Sequence, residues 1–383
     1  MIEGLRTVEP MINRIRKSFI AADYCPHGGR IREAAAGISG EVDALLDFSA
    51  NINPLGSPPL VEVILQELSR VGHYPDNSYR DFREAASAFV GVSPENIVPG
   101  NGSSEIIRLF AEMTLQDGDL AVIPSPTFGE YEGQARLSGA EIRRVELGLP
   151  RPQSLDRVFD DCLLDQAKSV FICNPNNPTG FLISGPQIAK LARRCQEHET
   201  FLLVDEAFIE LSDPMQSIAG LAPHLDNLVV MRSLTKSFGV PGLRLGFAVT
   251  NRKLAAIMDR ARIPWSISSL ASGAAVHLLG FEDFLAASRA CIEEELVWLT
   301  GELKELGLEP LESSVNFILI NVESSGLLSA ELVDRMAEQR VLVRDCQSFG
   351  LGQSYIRVAV RNRQENQKLI QALERVLHGT DKL

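Results

Sequence analysis

The chain has little that would suit it to a polyanion, a membrane or an oxidising compartment. Its 383 residues carry 37 Lys and Arg against 50 Asp and Glu, a formal net charge of −13. That missing positive charge excludes a general nucleic-acid binder, since phosphate backbones attract basic surfaces. A phosphorylated small molecule is not excluded, because a pocket needs only local arginines. The six cysteines, at 25, 162, 173, 195, 291 and 346, include no Cys-x-x-Cys pair. Reduced thiols are expected, and no zinc site or other metal is implied. No apolar run reaches 18 residues, and the first 22 residues lack the continuous apolar stretch of a signal peptide. The expectation is a soluble, unexported, cytoplasmic protein with no membrane partner. Internal repeats and low-complexity tracts are also missing.

What is present is an alternation of strand and helix signals. From about residue 75 to 250, short apolar runs recur at helix-length intervals, which predicts an α/β fold with a mostly parallel sheet covered on both faces. Beyond Asn251 helical stripes dominate, over 254–262, 271–279 and 281–306, followed by short strands at 315–320, 341–343 and 355–360. The expected division is an N-terminal arm with an amphipathic helix over 1–24, a further arm and part of a small domain over 25–72, a large domain over 73–263 and a small C-terminal domain over 264–383. Residues 264–268 read as the hinge. The stripe Val61, Ile64, Leu65 and Leu68 predicts a helix over 58–71 with a core-facing side.

The chemistry concentrates in Met231-Arg-Ser-Leu-Thr-Lys-Ser-Phe-Gly-Val-Pro-Gly-Leu-Arg-Leu-Gly246. The run 228–231 reads as a buried strand, so Ser233 to Lys236 fall at its carboxyl end, where open α/β sheets bind ligands. A lysine there can form a Schiff base with a carbonyl cofactor, and Ser233 and Arg244 can bind a phosphate. Ser-x-x-Lys alone also arises by chance. Two further strand ends add to it. Phe201-Leu-Leu-Val-Asp-Glu-Ala-Phe208 ends in Asp205, a carboxylate able to hold a pyridine nitrogen protonated, with a capping role as its alternative. Phe171-Ile-Cys-Asn-Pro-Asn-Asn-Pro-Thr-Gly180 presents Asn177 on a turn fixed by proline and glycine, able to donate to the ring's 3-oxygen. Gly102, Ser103 and Ser104 open a helix over 105–113 and form a candidate phosphate cradle. Phe128, after the strand from 121, can stack on a pyridine ring or fill core. Pyridoxal 5'-phosphate is the cofactor that these groups suggest together.

The order Asn-Pro-Thr-Gly, Asp-Glu-Ala and Ser-x-x-Lys with a following arginine resembles the fold-type I pyridoxal-phosphate enzymes. His27-Gly-Gly-Arg-Ile-Arg-Glu33, Leu46-Asp-Phe-Ser-Ala-Asn-Ile-Asn-Pro-Leu-Gly56 and Tyr355-Ile-Arg-Val-Ala-Val-Arg361 resemble one branch of them, the L-threonine O-phosphate decarboxylases of cobalamin synthesis. The resemblance runs from about residue 25 to the C-terminus. It implies a homodimer with shared active sites, in which Tyr74 reaches the neighbour's cofactor phosphate. It also places His27, Gly28, Asn51, Asn177, Arg344 and Arg357 around a small phosphorylated amino-acid substrate, with Arg357 on the α-carboxylate. Arg357 alternates with Ile356 and Val358, so its guanidinium points away from the apolar face; Arg344 has a surface ion pair as its alternative. Where many aminotransferases of this fold have a tyrosine three residues after the cofactor aspartate, this chain has Phe208. That departure agrees with decarboxylation and counts against the runner-up, a histidinol-phosphate type aminotransferase. A non-catalytic binding protein on the same fold is the third alternative.

Overall fold

Runs of branched and aromatic residues form strands here because both of their faces are covered, the condition that parallel sheets require. The computed structural model describes residues 14–22, 25–33 and 45–379. Its large sheet has seven strands in the order β2-β8-β7-β6-β5-β3-β4. They are β2 (Ile97–Asn101), β3 (Leu120–Ser125), β4 (Glu141–Glu146), β5 (Ser169–Cys173), β6 (Phe201–Asp205), β7 (Leu228–Ser233) and β8 (Leu245–Thr250). All neighbours pair in parallel except β8, which is antiparallel to both β2 and β7. The sheet is therefore mostly parallel, as the alternation predicted.

The period of two along a strand sorts the core into two layers. Leu202 and Val204 of β6 face one layer with Val170, Ile172, Leu228 and Val230. Leu203 faces the other, with Phe171, Cys173, Met231 and Tyr131. Asp205 follows Leu203 by two residues, so the same alternation turns its carboxylate toward Tyr131.

The direction of the strands positions the site. β2, β3, β5, β6 and β7 all run the same way, so Asn101, Ser125, Cys173, Asp205 and Ser233 end at one edge of the sheet. β8 runs oppositely and so begins at that edge, immediately after Arg244. Sequence segments more than 100 residues apart thus deliver polar groups to one line of strand ends.

A smaller antiparallel sheet, β12-β13-β10-β9, comprises β9 (Glu309–Pro310), β10 (Phe317–Asn321), β12 (Arg344–Asp345) and β13 (Tyr355–Ala359). A short pair joins β1 (Leu46–Asp47) to β11 (Val341–Leu342) in parallel. Ile356 and Val358 enter the core beside this sheet with Phe48, Leu332 and Leu369. The turn over 264–268 is held by Tyr79, whose hydroxyl bonds both the N–H and the carbonyl of Ile267 at 3.1 Å. Among the described residues, no single helix is long and apolar enough to cross a membrane.

One expectation needs correction. The helix Val61–Leu68 forms, but it buries no residue: Val61 is 72% exposed, Leu65 60% and Leu68 47%, while Leu60 and Ile64 alone lean on the core. An apolar stripe reports that a face needs covering, and among the described residues little covers it. In the N-terminal arm, the described part contains one helical turn, Lys17–Ile20, with Ile15, Phe19 and Ile20 exposed. Leu5, Val8, Met11 and Ile12 lie outside the described residues.

Behind the strand ends, one buried arginine serves two buried carboxylates. Arg232 Nε lies 3.0 Å from Glu206, its Nη1 pairs with Glu210, and its Nη2 donates to Ser217 Oγ at 2.6 Å. Removing one partner of such a group leaves uncompensated buried charge, at a cost of about 3–5 kcal/mol. Arg232→Met should therefore lower the stability measured by urea unfolding by about that amount, with the midpoint shifting and the slope unchanged.

Candidate active site

The strand ends enclose a cavity of about 270 Å³. Lining it are Lys236, Asp205, Asn177, Ser233, Arg244, Ser103, Ser104, Phe128, His27, Gly28, Asn51, Arg344 and Arg357, which are all the residues named from the sequence except Gly102 and Tyr74.

Lys236 enters the cavity from the short helix Leu234–Ser237 directly after β7. Burial, reinforced by the Arg357 and Arg244 guanidiniums, lowers its pKa from the ordinary 10.5 to about 8. Asp205 is the one acidic group that opposes this shift. A lysine so placed is substantially neutral at slightly alkaline pH, the form in which an amine attacks a carbonyl.

Asp205 is fixed at both oxygens. Oδ1 accepts from the Ala207 N–H at 2.9 Å, and Oδ2 accepts from the Tyr131 hydroxyl at 2.6 Å. Burial raises its pKa from 3.8 to about 6 although both bonds work against the rise. A buried carboxylate kept from full ionisation in this way calls for a cationic partner, such as a protonated ring nitrogen. Tyr131 was not named from the sequence. It lies in the first turn of the helix Glu130–Leu137, just after the loop that carries Phe128, and the two rings meet edge to face at 5.6 Å.

Ser103 and Ser104 begin the helix Ser103–Thr114, whose first N–H groups and dipole favour an anion. Arg244 reaches this end, held in left-handed backbone at φ 55°. Gly102, directly before this helix, does not itself line the cavity. It acts by its lack of a side chain: at φ +73°, a Cβ there would stand 2.5 Å from Arg244 Nη2. Ser233 is buried, and its hydroxyl shares a 2.8 Å bond with Thr235.

The far wall comes from the small sheet. Arg357 of β13 lies opposite Arg344 of β12 in an antiparallel pair. Opposed residues share a face, so two guanidiniums stand side by side at the cavity, an unfavourable placement until an anion lies between them. Arg357 is buried, donates to the Asn177 carboxamide oxygen and to the Ser49 carbonyl at 2.8 Å, and lies 5.4 Å over the Phe317 ring. Burial lowers its pKa to about 10. Because Asn177 gives its oxygen to Arg357, its amide N–H groups remain as the donor toward the cavity. Arg344 donates to the Pro26 carbonyl at 2.8 Å and to Ser348 Oγ at 2.7 Å. Phe208 is buried edge to face against Phe317 at 5.1 Å and offers the cavity no hydroxyl.

Segment 25–29 closes the mouth. His27 Nε2 lies 2.8 Å from Glu130 Oε1, and the Gly29 N–H donates to Ser49 Oγ at 2.9 Å. Gly28 lies so close that a Cβ would fall 2.2 Å from the Ser49 carbonyl oxygen, so the backbone approach requires glycine. Asn51 is buried, and its Oδ1 has no hydrogen-bond partner. Tyr74 stands apart from the cavity: it is 81% exposed, with its ring 4.7 Å from that of Trp265.

A nucleophilic lysine, a carboxylate awaiting a cation and an anion cradle at a helix start are the three things pyridoxal phosphate needs. They define a pyridoxal-phosphate enzyme of fold type I. The family described as "Aminotransferase class I and II" matches residues 43–373, and the chain belongs to it. Threonine-phosphate decarboxylase of Salmonella typhimurium (strain LT2) is 36% identical over 360 residues, covering 92% of this chain and 97% of that protein. Histidinol-phosphate aminotransferase of Methanococcus aeolicus is 31% identical, covering 97% of this chain and all of that protein. Among solved structures, histidinol-phosphate aminotransferase from Clostridium acetobutylicum superposes with a TM-score of 0.80 at 30% identity, over 87% of this chain and 99% of that one.

Burial of the Lys236 amine carries a stability cost whose pH dependence follows from its shifted pKa. Its folded-state pKa lies below its ordinary value, so at pH 7 the charged amine is penalised in full. The penalty is relieved as pH rises from about 8 to about 10.5. Lys236→Met in the cofactor-free protein should therefore unfold at a higher temperature than wild type at pH 7, with the difference shrinking toward pH 10. Thermal unfolding at the two pH values measures it, and a constant margin would show that the lysine is not desolvated.

Proposed function

We propose that the protein decarboxylates L-threonine O-phosphate to (R)-1-amino-2-propanol O-phosphate, the linker of the nucleotide loop in cobalamin biosynthesis. The carrying observation is the surplus of cations in the cavity: among the described residues that line it, Arg244, Arg344, Arg357 and Lys236 stand against one carboxylate, Asp205, in a chain of net charge −13. Three arginines match three anions, namely a cofactor phosphate, a substrate carboxylate and a substrate phosphate.

Bound pyridoxal phosphate supplies an electron sink that weakens the bonds at the substrate's Cα. Lys236 would hold the cofactor and yield its place to the substrate amine. Asp205, steadied by Tyr131, would keep the ring nitrogen protonated, and Phe128 would pack on the ring. Ser103, Ser104, Ser233 and Arg244 would hold the cofactor phosphate. Arg357, braced by Asn177 and Ser49, would take the α-carboxylate through two parallel N–H bonds, fixing which bond at Cα stands perpendicular to the ring plane. Arg344, with His27 at the mouth, would take the substrate phosphate. The lack of a hydroxyl at Phe208 leaves the 3-oxygen to Asn177.

The names of relatives support a second reading, an aminotransferase of the histidinol-phosphate type, since proteins of both names align over nearly the whole chain. The Phe208 position and the match of segment 27–33 favour the decarboxylase. We also place the protein in the cytoplasm as a homodimer, in which a second copy covers the exposed Val61, Leu65 and Leu68 and receives Tyr74 near its cofactor phosphate.

Product analysis separates the two readings. Incubation with L-threonine O-phosphate should release carbon dioxide and the amino-alcohol phosphate in equal amounts, measured by mass spectrometry. Keto-acid formation without carbon dioxide would favour transamination. Arg357→Lys, which loses the two-pronged grip, should cut kcat/KM by about 100-fold or more and let some transamination product appear.

A further inference from the structure

Outside the cofactor machinery, three side chains whose chemistry is that of metal ligands converge at the mouth of the cavity. Cys25 Sγ, His27 Nε2 and a Glu130 carboxylate oxygen all lie within 4.8 Å of one another. We propose that Cys25, His27 and Glu130 form a site for one zinc-class divalent ion, with a fourth coordination position open to the cavity.

The ligand set selects the class of ion. One thiolate, one imidazole and one carboxylate suit a borderline ion such as Zn²⁺, whereas Mg²⁺ and Ca²⁺ need several oxygen ligands and find one. Three protein ligands with an open fourth place is the arrangement of zinc sites that keep a water or exchangeable ligand. The open place faces inward, since both Cys25 and His27 line the cavity. Coordination expels the thiol proton to solvent, and the ion's two charges are then balanced by thiolate and carboxylate. A neutral complex suits a half-buried position.

The site is also built rather than incidental. Pro26, between the two ligands of the arm, is held by Arg344 through its carbonyl, and Gly29 is held by Ser49. Cys25 Sγ rests on Gly129, where a Cβ would come within 2.8 Å of the sulfur. Glu130 begins the helix Glu130–Leu137, directly after the turn that carries Phe128. An ion bound here ties the arm to the turn beside the cofactor ring. Sequence reading, which sought Cys-x-x-Cys spacing, missed this group because Glu130 is 103 residues from His27.

Titration of chelator-stripped holoenzyme with Co²⁺ tests the proposal. Tetrahedral thiolate-ligated cobalt should give visible d–d bands to the red of the cofactor's absorption, saturating at one ion per chain, and Zn²⁺ should abolish them. By calorimetry, Cys25→Ser and Glu130→Gln should each weaken Zn²⁺ binding by more than about 10-fold, because even the loss of an outer partner costs 10- to 100-fold. The cofactor's absorption in both variants reports that the pocket is intact. Binding that survives both substitutions, that is lost only on replacing His198 beside Asp161 and Asp165, or that is absent in wild type would overturn the proposal.

Discussion

The constraint on which the site depends is the burial of Lys236 among guanidiniums with one carboxylate opposite. Charge in a low-dielectric cavity costs far more than at the surface, so burial and the Arg357 and Arg244 guanidiniums disfavour the charged form of Lys236 while Asp205 opposes them. A protein holding such a group is organised to receive anions. The shifts of Lys236 downward and Asp205 upward have the same origin, desolvation. They make the amine a better nucleophile and the carboxylate a group in want of a cation. Both strains are relieved by one ligand that carries an aldehyde, a basic ring nitrogen and a phosphate.

The fold supplies this arrangement through chain direction. Six parallel strands ending at one edge and a seventh beginning there bring Asp205, Asn177, Lys236, Ser103 and Arg244 together, although no two come from the same strand. The small sheet then closes the cavity from the far side by register alone, because Arg344 and Arg357 are opposed across an antiparallel pair. Arg357 joins the two halves: it bonds Asn177 after β5 and Ser49 after β1. Movement of the small sheet against the large one would therefore move the substrate-facing guanidinium with it.

Local chemistry was legible in the sequence, and contacts were not. Asp205 could be placed because it ends an apolar strand, Lys236 because it follows one by a few residues, and the direction of Arg357 because the period of a strand is fixed. Nothing in the neighbourhood of Tyr131 says that its hydroxyl meets Asp205, 74 residues on. Sequence does not show that Arg244 passes over Gly102, where a Cβ would collide with its guanidinium. The stripe Val61, Leu65 and Leu68 was read as core; periodicity identifies an apolar face but not the surface that covers it.

The central claim, that Lys236 carries the cofactor, is tested most directly by reducing the holoenzyme with borohydride and mapping the modified peptide by mass spectrometry. The account predicts a pyridoxyl-phosphate mass on Lys236 alone, with loss of the visible band in step. A modified peptide without Lys236, or a band that disappears with no covalent label on the chain, would contradict it.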